Sequence, residues 1–375
     1  MIVKEYTAGI SLTEACNMAC QHCYIGRKSF WKKNNYQIKS ISLDKFKQLL
    51  PQLVEANVTR VNFGGGESPL HPNFIEIAKK LYDAGIKTSL VTNGSTIKII
   101  KPFLHLFNDI GVSIDFPDER HSDNRRQSKA FFWATTALNE IVDSGKTKTE
   151  MVTCIMNTNY NILPELYTLA QSLGVDMWRL NRFHPTKNDI SRFSVNITGL
   201  DEVIDISYLA CSREQMREAF EFLASVSPPP NSQNYTIPDP VFRILVGGKR
   251  VISGVPYGQI SFKIKSDGGV VQNLFTDNAA GNVFDRPLRE ILESNEYNKS
   301  PSDLSGKCIT CTNAEHCKGG DITDTILWNE LNDPYCFLDT SKMVDIKLVP
   351  LSHTNFVHES YLGTIYVPIA WRLKS

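Results

Sequence analysis

The sequence predicts an α/β fold in which strand–helix units build a parallel sheet, followed by a smaller cysteine-rich C-terminal region. Between about residues 7 and 184, short runs rich in β-branched residues alternate with longer stretches of helical period. The 375 residues, 42% of them hydrophobic, suffice for two adjoining globular units. Right-handed crossovers would curl such a sheet into a barrel or an arc of one, with functional residues at the carboxyl ends of the strands.

The periodicity assigns six strands and the helices between them. The predicted strands are Ala8–Leu12, Val58–Phe63, Lys87–Thr92, Val112–Asp115, Glu150–Ile155 and Met177–Phe183. Apolar residues recur at helical spacing in Leu43–Ala56 and in Asn73–Ala84. Farther along, the pattern predicts a bridging helix, a β-hairpin and a last helix, over Ser212–Ala224, Ile260–Gln272 and Leu288–Glu293.

Charge and cysteine content exclude several classes of protein. Forty basic residues balance forty acidic ones without a long run of one sign, so neither a nucleic acid nor an anionic membrane is an expected partner. The N-terminus lacks a signal pattern, and no apolar run approaches the ~18 residues of a membrane helix. Nine cysteines, mostly towards the two ends, favour metal ligation in a reducing compartment. These features predict a soluble, cytoplasmic protein.

Cys16, Cys20 and Cys23 follow the first predicted strand. Their spacing lets one short loop present three thiolates to a single iron-sulfur cube. One iron then lacks a protein ligand and can bind a small molecule, which indicates an active site. The alternatives are unrelated thiols or a zinc knuckle, which would need a fourth Cys or His nearby.

This spacing, with the aromatic His22 before the last cysteine, resembles the cluster loop of the radical S-adenosylmethionine (SAM) enzymes. The resemblance implies a partial (β/α)6 TIM-like barrel. It also implies that SAM binds the open iron and is cleaved reductively to a 5′-deoxyadenosyl radical, which abstracts hydrogen from a substrate. An electron donor such as flavodoxin or ferredoxin would be a partner.

The segment Gly64–Pro69 follows the second strand, where glycines let the backbone approach a ligand closely. In the resembling family this segment holds the methionine ammonium of SAM, which implies that role for Gly65, Gly66 and Glu67. An ordinary glycine-rich turn is the alternative. The resemblance also implies SAM contacts for residues after the next three strands, namely Asn93, Ser113, Arg125 and Asn159. Arg126 could replace Arg125, which could instead be a solvated charge at a helix start.

A second cysteine set can enclose another 4Fe-4S cluster with four thiolates. Its members are Cys308, Cys311, Cys317 and Cys336. Residues 266–271 and 281–283 resemble the hairpin and the Gly-Asn element of the SPASM domain, which usually holds two auxiliary clusters. The alternative for this Cys₄ set is structural zinc.

Three positions depart from the SPASM pattern. Val255, Asn273 and Asp321 stand where cysteines of the inner auxiliary cluster are expected. The sequence therefore predicts two 4Fe-4S clusters in total, one catalytic and one auxiliary. The vacated space, lined by Asp321, Tyr257 and Asn273, could become part of a substrate pocket.

Other residues near the predicted barrel mouth have both a functional and a structural interpretation. Cys154 and Cys211 could donate a hydrogen atom to a product radical, or serve as small buried hydrophobes. Arg179, Arg182 and His184 could hold a substrate carboxylate or phosphate, or form a salt-bridged rim.

The predicted organisation is a barrel over residues 1–190, a linker with the bridging helix over 191–249, a SPASM-like domain over 250–340, and a β-like extension of unknown role over 341–375. The resemblance favours a peptide or protein side chain as substrate. Because the barrel begins almost at Met1 without a leader-binding domain, oxidation or epimerisation of a sugar or amino-acid derivative is the runner-up. A non-catalytic iron-sulfur or zinc protein is the alternative outside the enzymes.

Overall fold

The structure, a computed structural model, describes the strand–helix region almost completely and the C-terminal region in segments. The described residues are 5–23, 37–184, 194–195, 202–203, 207–227, 239–246, 251–252, 261–272, 279–298, 306–317, 319–321, 331–337, 347–348 and 364–369. In this part of the chain, none of the helices has the length and apolar character needed to span a bilayer.

Six parallel strands form the centre of the fold. They are Tyr6–Thr13 (β1), Val58–Gly65 (β2), Lys87–Thr92 (β3), Asp109–Ser113 (β4), Lys148–Ile155 (β5) and Met177–Arg182 (β6). All six predicted strands are confirmed, with small differences at their ends. The largest is β4, which begins at Asp109 rather than Val112. A sequence pattern misses this start because Asp and Gly are poor strand formers, yet the buried Asp109 carboxylate accepts a hydrogen bond from the Ser89 hydroxyl on β3.

The helices alternate with these strands and continue into the C-terminal region. They are Leu43–Glu55 (α1), Phe74–Asp83 (α2), Ile97–Ile100 (α3), Arg120–Arg125 (α4), Ala130–Ser144 (α5), Leu163–Ser172 (α6), Arg213–Val226 (α7), Pro240–Leu245 (α8), Leu288–Glu293 (α9), Asn295–Asn298 (α10) and Ala314–Cys317 (α11). Ser42 caps α1 by accepting a hydrogen bond from the Lys45 N–H at 3.3 Å. The helices at 43–56, 73–84, 212–224 and 288–293 are thus confirmed.

The sheet extends beyond the six strands at both edges. Its further strands are Ser261–Ile264 (β7), Gly269–Val271 (β8), Gly281–Asn282 (β9) and Thr364–Pro368 (β10), and the order is β9-β8-β7-β1-β2-β3-β4-β5-β6-β10. The predicted hairpin, β7 and β8, is confirmed, but β7 pairs in parallel with β1 and so belongs to the barrel sheet. Strand β10 pairs antiparallel with β6. The arc of parallel strands confirms the predicted fold class, while the domain boundaries stay predictions.

The two faces of the sheet differ in chemistry. On β1, Ala8, Ile10 and Leu12 are fully buried and belong to the main hydrophobic core, to which α1 and α2 also contribute. Because side chains alternate along a strand, the positions between them face the barrel interior. The interior is therefore polar at many positions, including Thr7, Asn62, Ser89, Glu150, Arg179 and Lys263.

Arg182, the last residue of β6, lies at a buried junction between the barrel and the C-terminal region. Its Nε lies 2.6 Å from Asp239 Oδ2, and its Nη1 lies 2.9 Å from Asp333 Oδ2. Asp239 also caps α8 by accepting the Phe242 N–H at 2.8 Å. One guanidinium thus ties together the end of β6, the start of α8 and the segment that contains Cys336. Of the two interpretations of Arg182, a substrate ligand or a salt-bridged residue, the structure supports the salt bridge.

We expect Arg182→Ala to lower the free energy of unfolding by about 3–5 kcal/mol, because two buried carboxylates lose their cation. Arg217→Ala is the control, since Arg217 forms only an exposed pair with Glu221 on α7, and it should cost within about 0.5 kcal/mol. Urea unfolding monitored by circular dichroism measures both. An equal loss of unfolding free energy in the two variants would contradict the stabilising role of Arg182 at this junction.

Candidate active site at the cysteine loop

The three N-terminal cysteines lie together in the loop that leaves the carboxyl end of β1. Cys20 is buried with Met18 and Ala130, and Cys16 and Cys23 pack against the same cluster. Burial raises the pKa of Cys16 to about 12, and the thiols of Cys23 and Cys20 add to the shift. The structure therefore brings the three predicted thiols to one place.

The α4 segment holds this loop through the main chain. The Ala19 N–H donates to the Arg125 carbonyl at 3.3 Å, and the Gln21 N–H donates to the Asn124 carbonyl at 3.2 Å. Within the loop, the Cys23 N–H donates to the Cys20 carbonyl at 3.4 Å. These bonds connect the loop after β1 to the helix after β4, which lies three strands away in the sheet.

The glycines after β2 allow that strand to touch the start of the cysteine loop. The Gly66 N–H donates to the Thr13 carbonyl at 2.7 Å, and the Glu67 N–H donates to the Ala15 carbonyl at 2.8 Å. A Cβ on Gly66 would lie 2.1 Å from the Ala15 oxygen, and one on Gly65, where φ is +103°, would lie 2.4 Å from the Thr13 oxygen. The close approach expected for a ligand is here made by the loop backbone.

Glu67 is a buried carboxylate held by three donors. The hydroxyls of Thr92 and Thr96 donate to Oε1, the latter at 2.6 Å, and the Asn93 N–H donates to Oε2 at 2.9 Å. Burial raises the pKa of Glu67, although these bonds favour its charged form. Its charge raises the pKa of Cys16, so the carboxylate lies beside the cysteine loop. The two threonines were not predicted, since only the fold reveals hydroxyls that converge from the end of β3.

Asn93 links this carboxylate to the cysteine loop. Its side-chain N–H group donates to Asn17 Oδ1 at 3.0 Å and lies 4.0 Å from Cys16 Sγ. Ser113 ends β4 and is half-buried. The structure therefore places Glu67, Asn93 and Ser113 at the ends of consecutive parallel strands, although their contacts with SAM stay predictions.

Arg125 is buried between Asp115 and Cys20. Its Nη2 lies 2.7 Å from Asp115 Oδ2, and its Nη1 donates to Cys20 Sγ at 3.5 Å. Burial alone would raise the pKa of Asp115, but the charges of Arg125, His22 and His121 and the hydrogen bond from the Cys154 N–H together lower that pKa to about 2. Arg126, by contrast, is exposed at the end of α4 with φ +51°. Of the two arginines, Arg125 is the one at the site.

The side chain of Asn159 is engaged with the protein backbone. Its amide group donates to the carbonyls of Asp115 and Cys154 at 3.0 and 2.9 Å, and its oxygen accepts the Met156 N–H at 2.8 Å. It thereby holds the turn after β5 against the end of β4. The adenosine contact predicted for Asn159 stays a prediction.

The two remaining thiols differ in position. Cys211 is buried in the main hydrophobic core, where burial raises its pKa to about 12. Cys154 is half-buried near the end of β5, and its N–H donates to Asp115 Oδ1 at 3.0 Å. Burial raises the pKa of Cys154, and the charges of Asp115 and Arg125 act on it. Cys154 is therefore the thiol at the barrel mouth, while the hydrogen-donor role of Cys211 stays a prediction.

The four C-terminal cysteines also lie near one another. Burial raises the pKa of Cys317 to about 12, and Asp333, Cys336 and Cys308 raise it further. Burial likewise raises the pKa of Cys308, with contributions from Cys336 and Cys311. The side-chain N–H group of Asn332 donates to Cys308 Sγ at 3.2 Å.

Asp321 is buried beside this second cysteine site. Its N–H donates to Asp333 Oδ2 at 2.8 Å, and its Oδ2 lies 3.8 Å from His184 Nε2. The structure thus connects Asp321 with one of the predicted rim residues. Val255, Tyr257 and Asn273, the other residues predicted around this space, lie outside the described residues.

Inside the barrel, Glu150 faces Arg179 on the neighbouring strand. Arg179 Nε lies 3.3 Å from Glu150 Oε2. Burial raises the pKa of Glu150 to about 8, although the charge of Arg179 opposes the shift. Gly111 on β4 leaves room for both, because a Cβ there would lie 3.0 Å from Arg179 Nη2. Arg179 is therefore buried against the carboxyl group of Glu150 inside the barrel.

The N-terminal donor set suits an iron-sulfur cube. Over the described ranges, no three His, Cys, Asp or Glu side chains converge closely enough to hold one metal ion. A cube binds each thiolate at a different iron, so its ligands need to share a loop rather than meet at one point. Three soft thiolates on the loop after β1 match that requirement.

Comparison with known proteins supplies the deciding observation. Residues 10–170 match the family described as the Radical SAM superfamily. This stretch of the chain is a Radical SAM domain. The match implies SAM and a 4Fe-4S cluster as cofactors, and it confirms the resemblance seen in the sequence.

Its relatives act on different substrates. An S-adenosylmethionine-dependent nucleotide dehydratase of Selenomonas ruminantium is 26% identical over 187 residues, which are 47% of this chain and 65% of that protein. The chain thus covers less than two thirds of that relative, and 61% of a second dehydratase from Fibrobacter. Mycofactocin maturase MftC of Mycolicibacterium smegmatis is 25% identical over 351 residues, which are 85% of this chain and 80% of that protein.

Solved structures share the fold of this radical SAM protein. SuiB of Streptococcus suis, bound to the precursor peptide SuiA, matches with a TM-score of 0.61 at 13% identity, over 90% of this chain and 76% of that one. The AdoMet-bound enzyme anSMEcpe matches with a TM-score of 0.63 at 19% identity, over 88% of this chain and 94% of that one.

We expect Gly66→Ala to prevent assembly of the cluster on the N-terminal loop, because the added Cβ would displace the Ala15 carbonyl and the cysteines after it. After anaerobic reconstitution, this variant should hold about four fewer irons per chain than the wild type. Gly85→Ala is the control: its φ of +74° makes alanine strained there, but the Cβ meets nothing within 4 Å, so this variant separates general backbone strain from displacement of the cysteine loop. A full iron content in Gly66→Ala would contradict this role of the glycine.

Proposed function

We propose that this protein cleaves SAM reductively and uses the resulting 5′-deoxyadenosyl radical to abstract a hydrogen atom from a substrate. The observation that carries the proposal is the position of the Glu67 carboxylate beside the three-cysteine loop, at the ends of two adjacent parallel strands. When bound, the cluster would supply one electron that splits the sulfonium of SAM into methionine and the radical.

The residues of the chain then have separate tasks. Cys16, Cys20 and Cys23 would hold three irons and leave one for SAM. Glu67, fixed by its hydroxyl and N–H donors, would accept a hydrogen bond from the SAM ammonium, with Gly65, Gly66, Asn93 and Ser113 nearby. Burial of this carboxylate strengthens its attraction for a cation, because the local dielectric is low.

We expect the anaerobically reconstituted protein, given dithionite, to convert SAM to 5′-deoxyadenosine and methionine. Glu67→Gln should weaken SAM binding about 10- to 100-fold, since a charge-assisted hydrogen bond contributes about 1.5–3 kcal/mol. Glu76→Gln, which alters only a surface pair with Lys80 on α2, should leave binding unchanged. Isothermal titration measures the affinity and chromatography the cleavage. Wild-type protein that holds a cluster but cleaves no SAM would overturn the proposal.

We propose a peptide or protein side chain as the substrate. This is supported by relatives named as mycofactocin maturases and by the structural match to SuiB, which was solved bound to the precursor peptide SuiA. The polar barrel interior beneath the cysteine loop offers both hydrogen-bond donors and acceptors to such a substrate. A precursor peptide that accelerates 5′-deoxyadenosine release would identify it.

The second candidate is a small polar substrate that is oxidised, dehydrated or epimerised. The two nucleotide dehydratases, which match 47% and 52% of this chain, favour it. In an epimerisation, Cys154 at the barrel mouth would be the thiol that returns a hydrogen atom. Acceleration of SAM cleavage by a nucleotide or sugar, and not by a peptide, would select this candidate. A non-catalytic role is not favoured, given the family match.

We further propose an auxiliary 4Fe-4S cluster on Cys308, Cys311, Cys317 and Cys336. The proposal is supported by the mutual influence of these thiols on their pKa values and by the hydrogen bond from Asn332 to Cys308. We also propose that an electron donor such as flavodoxin or ferredoxin reduces the protein, and that the protein is cytoplasmic.

We expect about eight irons per chain in the reconstituted wild type and about four in the double variant Cys308→Ala/Cys336→Ala. A matched double variant, Cys154→Ala/Cys211→Ala, should keep about eight, because it alters two thiols outside both cysteine sets. Iron and zinc are counted by plasma mass spectrometry. About four irons and one zinc in the wild type would instead assign the second set to structural zinc.

A further inference from the structure

Arg125 contacts a cluster cysteine, which its expected role as a SAM ligand does not require. We propose that Arg125, fixed by Asp115, is a positioning residue that donates a hydrogen bond to the Cys20 thiolate and raises the reduction potential of the catalytic cluster. This inference rests on the proposed function, since it concerns the cluster that cleaves SAM. In this arrangement Nη2 of the guanidinium binds Asp115 and Nη1 donates to Cys20.

The contact has the geometry and surroundings of a strong interaction. Arg125 Nη1 lies 3.5 Å from Cys20 Sγ, which is within hydrogen-bond range for sulfur. Both residues are buried, with 8% of each exposed. Coulomb effects on a thiolate grow as water is excluded, so a fixed cation at this distance acts more strongly than one at the surface.

Asp115 holds the guanidinium in place. Its Oδ2 lies 2.7 Å from Arg125 Nη2 and also accepts a hydrogen bond from Asn124 Nδ2 at 3.0 Å, while its Oδ1 accepts the Cys154 N–H at 3.0 Å. The Arg125 carbonyl accepts the Ala19 N–H from the cysteine loop at 3.3 Å. Arg125 is therefore anchored through its side chain and through its backbone, so the cation cannot swing away from Cys20.

The expected effect follows from charge. Reduction adds one negative charge to a cluster, and hydrogen bonds and positive charge at its sulfurs stabilise the reduced form. Asp115 partly compensates the cation, but it binds Nη2 and leaves the N–H group of Nη1 directed at the Cys20 sulfur. Residues around a metal ligand adjust the properties of the metal in this way.

The test compares two neighbouring arginines in the full-length, anaerobically reconstituted protein. Arg125→Gln and Arg126→Gln change the net charge equally, but Arg125 contacts Cys20, whereas Arg126 is exposed at the end of α4. Paramagnetic resonance at poised potentials follows the signal that shifts when SAM is added. At a fixed potential, Arg125→Gln should lower the ratio of reduced to oxidised cluster about tenfold, which corresponds to about 59 mV for one electron. Arg126→Gln should match the wild type.

Several outcomes would overturn the inference. One is an equal potential in Arg125→Gln and Arg126→Gln, and another is an unchanged potential with weakened SAM binding in Arg125→Gln, which would make Arg125 a SAM ligand only. If Arg125→Gln assembles no cluster, Arg125→Lys decides, because lysine keeps the charge but has a single nitrogen where the guanidinium uses separate ones for Asp115 and Cys20. Its potential should fall below that of the wild type, and an unchanged potential would overturn the inference. A wild-type cluster that ignores SAM would instead refute the proposed function itself.

Discussion

The close contact between Gly65 and Gly66 at the end of β2 and the backbone at the end of β1 is the constraint on which the site depends. Two hydrogen bonds, from the N–H groups of Gly66 and Glu67 to the carbonyls of Thr13 and Ala15, form only because no Cβ stands between the chains. They set the direction in which the cysteine loop leaves the sheet. They also fix Glu67 beside that loop. The position of the carboxylate relative to the three thiols is therefore set by the same contact.

The parallel sheet supplies the rest of the arrangement. Its outer face is apolar and packs on the helices, while its inner face carries buried polar side chains such as Glu150 and Arg179. Burying such groups is costly unless they are paired, and Gly111 provides the room in which these two meet. A closed (β/α)₈ barrel fills its interior mainly with branched apolar side chains. Here the open arc keeps a polar interior beneath the cysteine loop, which suits a polar substrate group.

Buried ion pairs connect this site to the second cysteine set. Arg182 binds Asp239 and Asp333, and the Asp333 carboxylate also accepts the N–H of Asp321 close to the C-terminal cysteines. The Asp115–Arg125 pair plays the same part within the barrel mouth, between β4 and the cysteine loop. In both places a charged side chain joins segments that are distant in sequence. Loss of one partner would leave a buried charge uncompensated, so each pair holds its segments in a single register.

The sequence by itself determined the order of strands and helices and the identity of both cysteine sets. These features depend on local periodicity and on spacing within one loop. The six strands and the helix Leu288–Glu293 of the structure agree closely with the pattern in the sequence. It did not determine that β7 joins β1, that β10 pairs with β6, or that Thr92 and Thr96 bind Glu67. Nor did it reveal that Arg125 reaches Cys20. Those contacts join residues far apart in the chain, and only tertiary packing decides them, because the register and burial that bring them together are properties of the assembled sheet.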